Sequence, residues 1–178
     1  MKKLGYILFI LIIFSTCKQP QARQPISRNS GTFIKESAKR NKLLFDKEKE
    51  TINQLIKNDT LHNYIASENG FWYYYTTRFE NDTITPKFGD LITYNYNIKD
   101  LNGNLIYSQD ELKTQQYAMD QQELFSGLRE GLKLMKAGEQ ITFIFPSLKA
   151  YGYYGDANKI GANVPIKSTV IVKSISKK

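Results

Sequence analysis

The 178-residue sequence contains few of the residues from which common catalytic sites are built. Its single cysteine excludes an internal disulfide and a cysteine cluster that could hold a metal ion. Its single histidine, His62, leaves no histidine pair for a metal and no catalytic triad, so we interpret it as a surface or structural residue. No glycine-rich phosphate loop is present. The sequence therefore predicts neither a metal site nor a bound cofactor.

Basic residues are in excess, with a formal net charge of +8. Such a charge suggests nucleic acid as a partner, but no segment combines a basic stripe with a recognisable nucleic-acid-binding module. We therefore predict no nucleic-acid binding. The positive charge is interpreted as a source of weak attraction to an anionic membrane surface. With 41% hydrophobic and 13% aromatic residues, the chain can bury a core, and its length suits one domain with an appendage.

The sequence opens with MKKLGYILFILIIFSTC, in which two lysines precede a short apolar run and Cys17 follows that run directly. The run is too short for a comfortable membrane span, and the pattern is typical of a secretory signal. We predict a lipoprotein signal peptide over 1–16, lipidation of Cys17 and a flexible tether over 17–31. The alternative is an ordinary signal peptide or an uncleaved anchor. Both versions place the body outside the cytoplasm, and lipidation would anchor it to a membrane at the periplasmic face of the cell envelope.

An N-terminal helical segment is predicted over 32–69, with the helix itself running from Thr32 to about Lys57. Its apolar stripe consists of Ile34, Ala38, Phe45, Ile52 and Leu55 or Ile56. Asn41 and Glu48 interrupt this stripe and leave it thin. Two interpretations stay open: the helix forms a dimer with a second copy, or it packs on the body of the same chain.

From residue 70 the hydrophobic pattern changes to period two, which predicts β-strands. The predicted strands cover 70–78, 89–100, 104–108, 115–119, 139–146 and 168–176. In the second of them Ile92, Tyr94, Tyr96 and Ile98 share one face, and Asn102-Gly103 predicts a hairpin after it. The elements together predict an α+β domain over 70–178, in which an antiparallel sheet wraps around one short helix.

The short helix is predicted over 127–140, with Leu128, Leu132 and Met135 on its apolar face. Near its start stand two glycines, Gly127 and Gly131, although glycine costs about 1 kcal/mol relative to alanine within a helix. We expect their missing side chains to let the helix lie close against the sheet, and Gly138 to end the helix. The loop that follows the next strand, 147–165, alternates tyrosine with glycine, which favours an ordered binding rim over disorder.

Six short motifs follow one another between residues 92 and 172. They are Ile92-Thr93-Tyr94, Asn102-Gly103, Gly127 to Glu139, Ala150-Tyr151-Gly152, Val164-Pro165 and Thr169 to Val172. In this order they resemble the FKBP-type peptidyl-prolyl cis-trans isomerases, over about residues 71–176. The resemblance implies an antiparallel half-barrel around one short helix, with a shallow apolar pocket that accepts a prolyl ring. The lipoprotein-like start and the helical segment are most similar to the gliding-motility-associated lipoprotein isomerases of Bacteroidetes.

The same resemblance implies positions for the site, residue by residue. Catalytic positions are implied for Tyr151, Phe125 and Tyr94, and substrate-binding positions for Ile106, Tyr107, Leu124, Leu128, Val164 and Val172. Two of these depart from the family's pattern, since Tyr107 stands where an aspartate is usual and Leu128 where a tryptophan often forms the pocket floor. A smaller floor and a lost carboxylate imply weaker binding of macrolide inhibitors and a reduced catalytic rate.

The function implied by the resemblance is peptidyl-prolyl cis-trans isomerisation without cofactor or metal, which assists the folding of exported envelope proteins, those of a gliding machinery included. The partners would be proline-containing polypeptides. One alternative is a non-catalytic periplasmic chaperone that holds proline-containing segments in the same pocket, and another is a structural envelope lipoprotein. Two Asp-Thr-aliphatic triplets, at Thr60 and Thr83, resemble an O-glycosylation signal of Bacteroidetes envelope proteins.

Overall fold

The computed structural model describes residues 30–80 and 84–178, with side chains from residue 32 onward. The predicted signal peptide, Cys17, the tether up to residue 29 and Thr83 lie outside the described residues. Residues 38–178 form one compact unit, and every strand given below belongs to it. No helix among the described residues is both long and apolar enough to cross a membrane.

A long helix, α1 (Ser30–Asn58), precedes the sheet and closely matches the prediction. Its predicted apolar stripe is buried only in part, since Ile52 is fully buried whereas Ile34 is exposed. Glu48, which interrupts the stripe, accepts two hydrogen bonds from Ser147. Within residues 38–178 the helix therefore packs on the body, which is one of the two interpretations left open. Dimerisation stays a prediction.

Asp59 organises the turn after helix α1. Its carboxylate accepts hydrogen bonds from the Leu61 amide at 3.1 Å and the Tyr64 hydroxyl at 2.9 Å, and lies 2.9 Å from Nδ1 of His62. The His62 ring in turn stacks on Tyr74, with ring centroids 4.1 Å apart. His62 is thus a partly exposed packing residue, in agreement with its interpretation as surface or structural.

The described strands form one antiparallel sheet. Their bounds are β1 (Ile65–Ala66), β2 (Trp72–Thr77), β3 (Leu91–Tyr96), β4 (Ile98–Lys99), β5 (Leu105–Tyr107), β6 (Gln115–Ala118), β7 (Gln140–Phe145) and β8 (Ile166–Ser176). The order across the sheet is β1-β2-β7-β8-β3-β6, and β4 pairs with both β5 and β8. Each predicted strand occurs, with the second divided into β3 and β4. The sequence does not predict the two-residue β1 or a four-residue helix, α2 (Gln109–Leu112).

The main core lies between one face of the sheet and a short helix, α3 (Ser126–Leu132). The sheet contributes the residues that period two assigned to one face, and all four are buried: Ile92, Tyr94, Tyr96 and Ile98. From the helix, Leu128 and Leu132 are fully buried. Strand β7 departs from simple alternation because Thr142 and Ile144, on its other face, are buried as well. The predicted α+β architecture is confirmed.

Helix α3 is shorter than the prediction of 127–140, which is wrong beyond Leu132. Residues after Leu132 form turns instead, in which the amides of Leu134 and Met135 donate to carbonyls three residues earlier. Met135 is fully buried in these turns, which explains why the apolar spacing looks helical in the sequence. Gly138 does not end the helix; it lies in the turn before β7, with φ of +85°.

The two helix glycines stand where the helix approaches the sheet most closely. A Cβ atom on Gly127 would lie 2.5 Å from the Phe145 ring and 2.6 Å from the carbonyl oxygen of Lys149. A Cβ atom on Gly131 would lie 2.9 Å from the Phe143 ring. Since carbon atoms in contact normally stay at least about 3.5 Å apart, neither position has room for a side chain. The expected close packing of helix on sheet is confirmed.

Candidate functional site

The long loop between β7 and β8 is ordered by its own backbone hydrogen bonds. It begins with a short 3-10 helix (Ser147–Lys149), and the Gly152 amide donates to the Ser147 carbonyl at 2.8 Å. Further along, the Asn163 amide donates to the Gly152 carbonyl at 2.8 Å. The chain is thus folded back on itself on both sides of Tyr151, which agrees with the expectation of an ordered rim.

A second set of bonds ties this loop to the hairpin strand β5. The Tyr107 hydroxyl donates a hydrogen bond to one carboxylate oxygen of Asp156, and the other oxygen accepts from the amides of Asn158 and Ile160 at 2.9 and 2.8 Å. The Nζ atom of Lys159 lies over the Tyr107 ring, 4.7 Å from its centroid. Although burial opposes it, the hydrogen bond from Tyr107 holds the pKa of Asp156 below its ordinary value.

A carboxylate nevertheless lies beside the position where the family resemblance implies a lost aspartate, because Asp156 bonds to Tyr107. At the position where an aspartate is usual, Tyr107 is buried and directs its hydroxyl to Asp156 on the loop. The bond to Asp156 raises the pKa of Tyr107, so this hydroxyl remains protonated at neutral pH. Sequence analysis missed Asp156 because 49 residues separate it from Tyr107 and no local pattern connects them.

All nine residues implied as catalytic or substrate-binding belong to one apolar cluster. Four are buried in its interior: Tyr94, Tyr107, Leu128 and Val172. Five are partly exposed and pack against it: Ile106, Leu124, Phe125, Tyr151 and Val164. In this conformation a ligand would meet mainly the second group, since the buried side chains are at most 8% exposed.

An open groove of about 590 Å³ lies at the exposed edge of this cluster. It is lined by residues 122–125, Arg129 and Tyr151. The rings of Phe125 and Tyr151 are 5.1 Å apart between centroids and inclined at 43°, and Phe125 also meets Phe145 edge-on at 5.5 Å. The groove thus has an aromatic wall whose inner side is supported by the core and whose rim is polar.

The tyrosine hydroxyls behind the groove are held in the neutral form. Burial raises the pKa of Tyr94 and of Tyr151 far above the ordinary tyrosine value. Burial also raises the pKa of Tyr96. Tyr151 can therefore act as a hydrogen-bond donor at physiological pH.

Arg129 of helix α3 lines the groove and belongs to a network of ion pairs, with Nε 3.5 Å from Glu130 and 3.8 Å from Asp120. Lys133 pairs with both of these carboxylates at 3.1 Å. The groove itself is lined by one acidic and one basic side chain, Glu123 and Arg129, so its rim carries no strong net charge. The sequence alone does not identify Arg129 as a lining residue.

Among the described residues, no group of three histidine, cysteine, aspartate or glutamate side chains could hold a metal ion. The groove has an aromatic wall and neutral hydroxyl groups, and a carboxylate orders the adjacent loop. Such a site is suited to binding an apolar group without forming a covalent bond.

Residues 82–173 match the family model of the FKBP-type peptidyl-prolyl cis-trans isomerases. That match covers more than half of the chain, and the protein belongs to this family of isomerases. The family and enzyme class expected from the sequence are thus confirmed.

A curated relative and two solved structures agree with this assignment. Peptidyl-prolyl cis-trans isomerase FKBP10 of Mus musculus is 33% identical over 86 residues, which are 48% of this chain and only 15% of the mouse protein. FkpA of Escherichia coli matches with a TM-score of 0.60 and 22% identity, over 99% of this chain and 83% of that one. A peptidyl-prolyl cis-trans isomerase of Pseudomonas syringae pv. tomato matches with a TM-score of 0.60 and 17% identity, over 76% and 96%. At these identities the two structures show a shared fold.

Proposed function

We propose that this protein catalyses cis-trans isomerisation of prolyl peptide bonds in exported polypeptides, and that the reaction takes place in the aromatic groove. The observation that carries the proposal is the position of Phe125 and Tyr151, which line the groove together and lie against the buried core. Their rings offer a proline side chain an apolar surface. Tyr94, Leu128 and Val172 lie behind them, where they support the wall instead of contacting the substrate.

The chemistry requires no nucleophile or metal ion. Resonance in the amide raises the barrier to rotation to about 18–20 kcal/mol, and uncatalysed exchange takes tens to hundreds of seconds. Millisecond turnover would need an acceleration of about 10⁴–10⁵-fold, or roughly 6 kcal/mol. A site supplies this by binding the twisted amide more tightly than either planar form. An apolar groove contributes because it disfavours the charge-separated planar amide.

Tyr151 is proposed to orient the peptide through its hydroxyl. This hydroxyl is protonated at physiological pH, because burial holds the pKa of Tyr151 far above the ordinary tyrosine value. A substrate carbonyl can therefore accept its hydrogen bond, and a ligand without a correctly placed carbonyl forgoes that bond.

The setting proposed for this activity is the cell envelope. Lipidation of Cys17 would anchor the protein at the periplasmic face of a membrane, and clients would be exported proline-containing proteins. The resemblance to gliding-motility-associated lipoproteins suggests that gliding components are among these clients. Thr60 is exposed, just after helix α1, so it is accessible to the O-glycosylation that its triplet suggests. The mass of the native protein tests both modifications, because a lipid and a glycan each add a defined increment.

Exchange of a short Xaa-Pro peptide, measured by NMR with the full chain added, tests the proposal. Phe125→Ala should lower kcat/KM at least about tenfold, because it removes most of the aromatic wall. Tyr151→Phe should lower it about threefold to tenfold, the range that corresponds to one hydrogen bond. Phe88→Ala and Tyr154→Phe are matched controls, since both side chains are largely exposed and neither lines the groove.

Three outcomes separate the functions under consideration. Acceleration that falls in Phe125→Ala and Tyr151→Phe, with the controls unchanged, supports an isomerase that acts at this groove. Peptide chemical-shift changes without acceleration would favour the non-catalytic chaperone. If neither acceleration nor chemical-shift changes are observed, the remaining function is that of a structural lipoprotein. If acceleration persists in both groove variants, the site assignment is wrong even though the activity is present.

A further inference from the structure

We propose that Glu48 of helix α1 is a positioning residue for the loop that carries Tyr151, so that the N-terminal helix is a working part of the isomerase site. This inference deepens the proposed function and rests on it. Glu48 interrupts the apolar stripe of the helix, and a stripe that served only for packing would be expected to carry an apolar residue there. The contacts of its carboxylate explain the interruption.

Both carboxylate oxygens of Glu48 bind the same residue. One accepts a hydrogen bond from the Ser147 amide at 2.8 Å, and the other accepts from the Ser147 hydroxyl at 2.7 Å. Ser147 is almost fully buried and begins the 3-10 helix of the loop. Because the first amides of a helix have no partner within it, the carboxylate satisfies a donor that would otherwise be unpaired. Two charge-assisted bonds to one residue also fix its orientation.

The position of Ser147 is transmitted to Tyr151 through the backbone. The Ser147 carbonyl accepts hydrogen bonds from the amides of Ala150 at 3.0 Å and Gly152 at 2.8 Å. These two residues flank Tyr151 directly, so the residue that Glu48 holds also holds both neighbours of Tyr151. A displacement of Ser147 would therefore change the angle at which the Tyr151 ring meets Phe125.

A role limited to docking the helix makes a different prediction. If Glu48 only docks the helix, its loss should lower the stability of the protein. The turnover of the molecules that remain folded should then be unchanged. Positioning predicts a lower turnover and a looser loop at temperatures where the fold is intact. Glu50 provides the comparison on the same helix, since within the described part of the chain its carboxylate accepts a hydrogen bond only from Gln54, one turn away, in an exposed position.

The test compares Glu48→Ala, Glu48→Gln and Glu50→Ala in the full chain, with near-UV circular dichroism to establish that each is folded. Two quantities are measured: kcat and KM for exchange of an Xaa-Pro peptide, and the hydrogen-exchange rate of the Gly152 amide. We expect Glu48→Ala to lower kcat about fivefold or more and to speed Gly152 exchange at least about tenfold. Glu48→Gln keeps an oxygen acceptor and should recover part of both losses, whereas Glu50→Ala should match the wild type.

Each result decides the proposal. A folded Glu48→Ala protein with wild-type kcat and wild-type Gly152 exchange overturns it. If Glu48→Ala does not fold, Glu48→Gln and Ser147→Ala take its place: the first removes the charge and one acceptor oxygen, the second removes the hydroxyl bond, and unchanged kcat and exchange in both contradict the proposal. If the wild type accelerates no prolyl peptide, the isomerase function fails, and the Gly152 amide still reports by itself whether Glu48 positions the loop.

Discussion

Replacement of Gly127 by alanine tests how tightly helix α3 must lie against the sheet. The new Cβ would stand 2.5 Å from the Phe145 ring and 2.6 Å from the Lys149 carbonyl oxygen, so about 1 Å of separation must be created. Such overpacking costs about 1–3 kcal/mol, whereas alanine gains at most about 1 kcal/mol as a better helix former. Because the oxygen belongs to the backbone, it cannot simply rotate away. We therefore take the upper end of the overpacking cost, about 3 kcal/mol, which after the gain from alanine leaves a net loss of about 2 kcal/mol.

Urea and thermal denaturation measure this loss, which should lower Tm by about 4–8 °C for a protein of this size. The matched control is Gly161→Ala, where the new Cβ would meet only a Val164 methyl group at 3.8 Å, so its stability should stay within about 0.5 kcal/mol of the wild type. A Gly127→Ala protein at least as stable as the wild type would refute the reasoning, because it would mean that helix propensity outweighs the close contact.

Two further predictions concern the polar contacts. Tyr107→Phe removes the hydroxyl that donates a hydrogen bond to Asp156. The loss should lower the free energy of unfolding, measured in urea, by about 1.5–3 kcal/mol, the range for a hydrogen bond to a charged group. Bonds to His62 and Tyr64 lower the pKa of Asp59 to about 2, so its stabilising contribution is present above the unfolded value near 4 and lost as the pH falls towards 2. Asp59→Asn should therefore cost about 1 kcal/mol at pH 7, after allowance for solvent screening. The difference from wild type in denaturation should shrink as the pH falls through 2 and vanish about one unit below it; a difference that persisted there would exclude this ionic origin.

The elements that the sequence predicts well are those with a local cause. Period-two alternation identifies strand β3 and its buried face because one side of the sheet covers the core and the other does not. The Asn102-Gly103 turn is recognisable because its backbone conformation favours those residue types. The predicted helix α3 is too long because Met135, which lies in a turn, is buried like the apolar residues of the helix. Its spacing from Leu128 and Leu132 is helical, so the sequence pattern does not distinguish this turn from a longer helix.

The contacts that shape the candidate site have no local cause, and the sequence does not reveal them. Tyr107 and Asp156 are 49 residues apart, and Glu48 and Ser147 are 99 apart. Glu48 illustrates the difficulty. In the sequence it only interrupts an apolar stripe, and its role becomes visible when Ser147 is known to be its hydrogen-bond partner. The family resemblance locates Phe125 and Tyr151 at the groove, but not Arg129, whose place there depends on the packing of this chain.

Strand β8 imposes an order of events on the synthesis of this protein. It lies between β7 and β3 and also pairs with β4, yet it follows all of them in the chain. Until residues 166–176 have left the ribosome and crossed any membrane, β2 and β7 cannot be joined to β3, and both groups expose unpaired edges. A protein proposed to help others fold therefore joins the two parts of its own sheet only after residues 166–176 have been delivered.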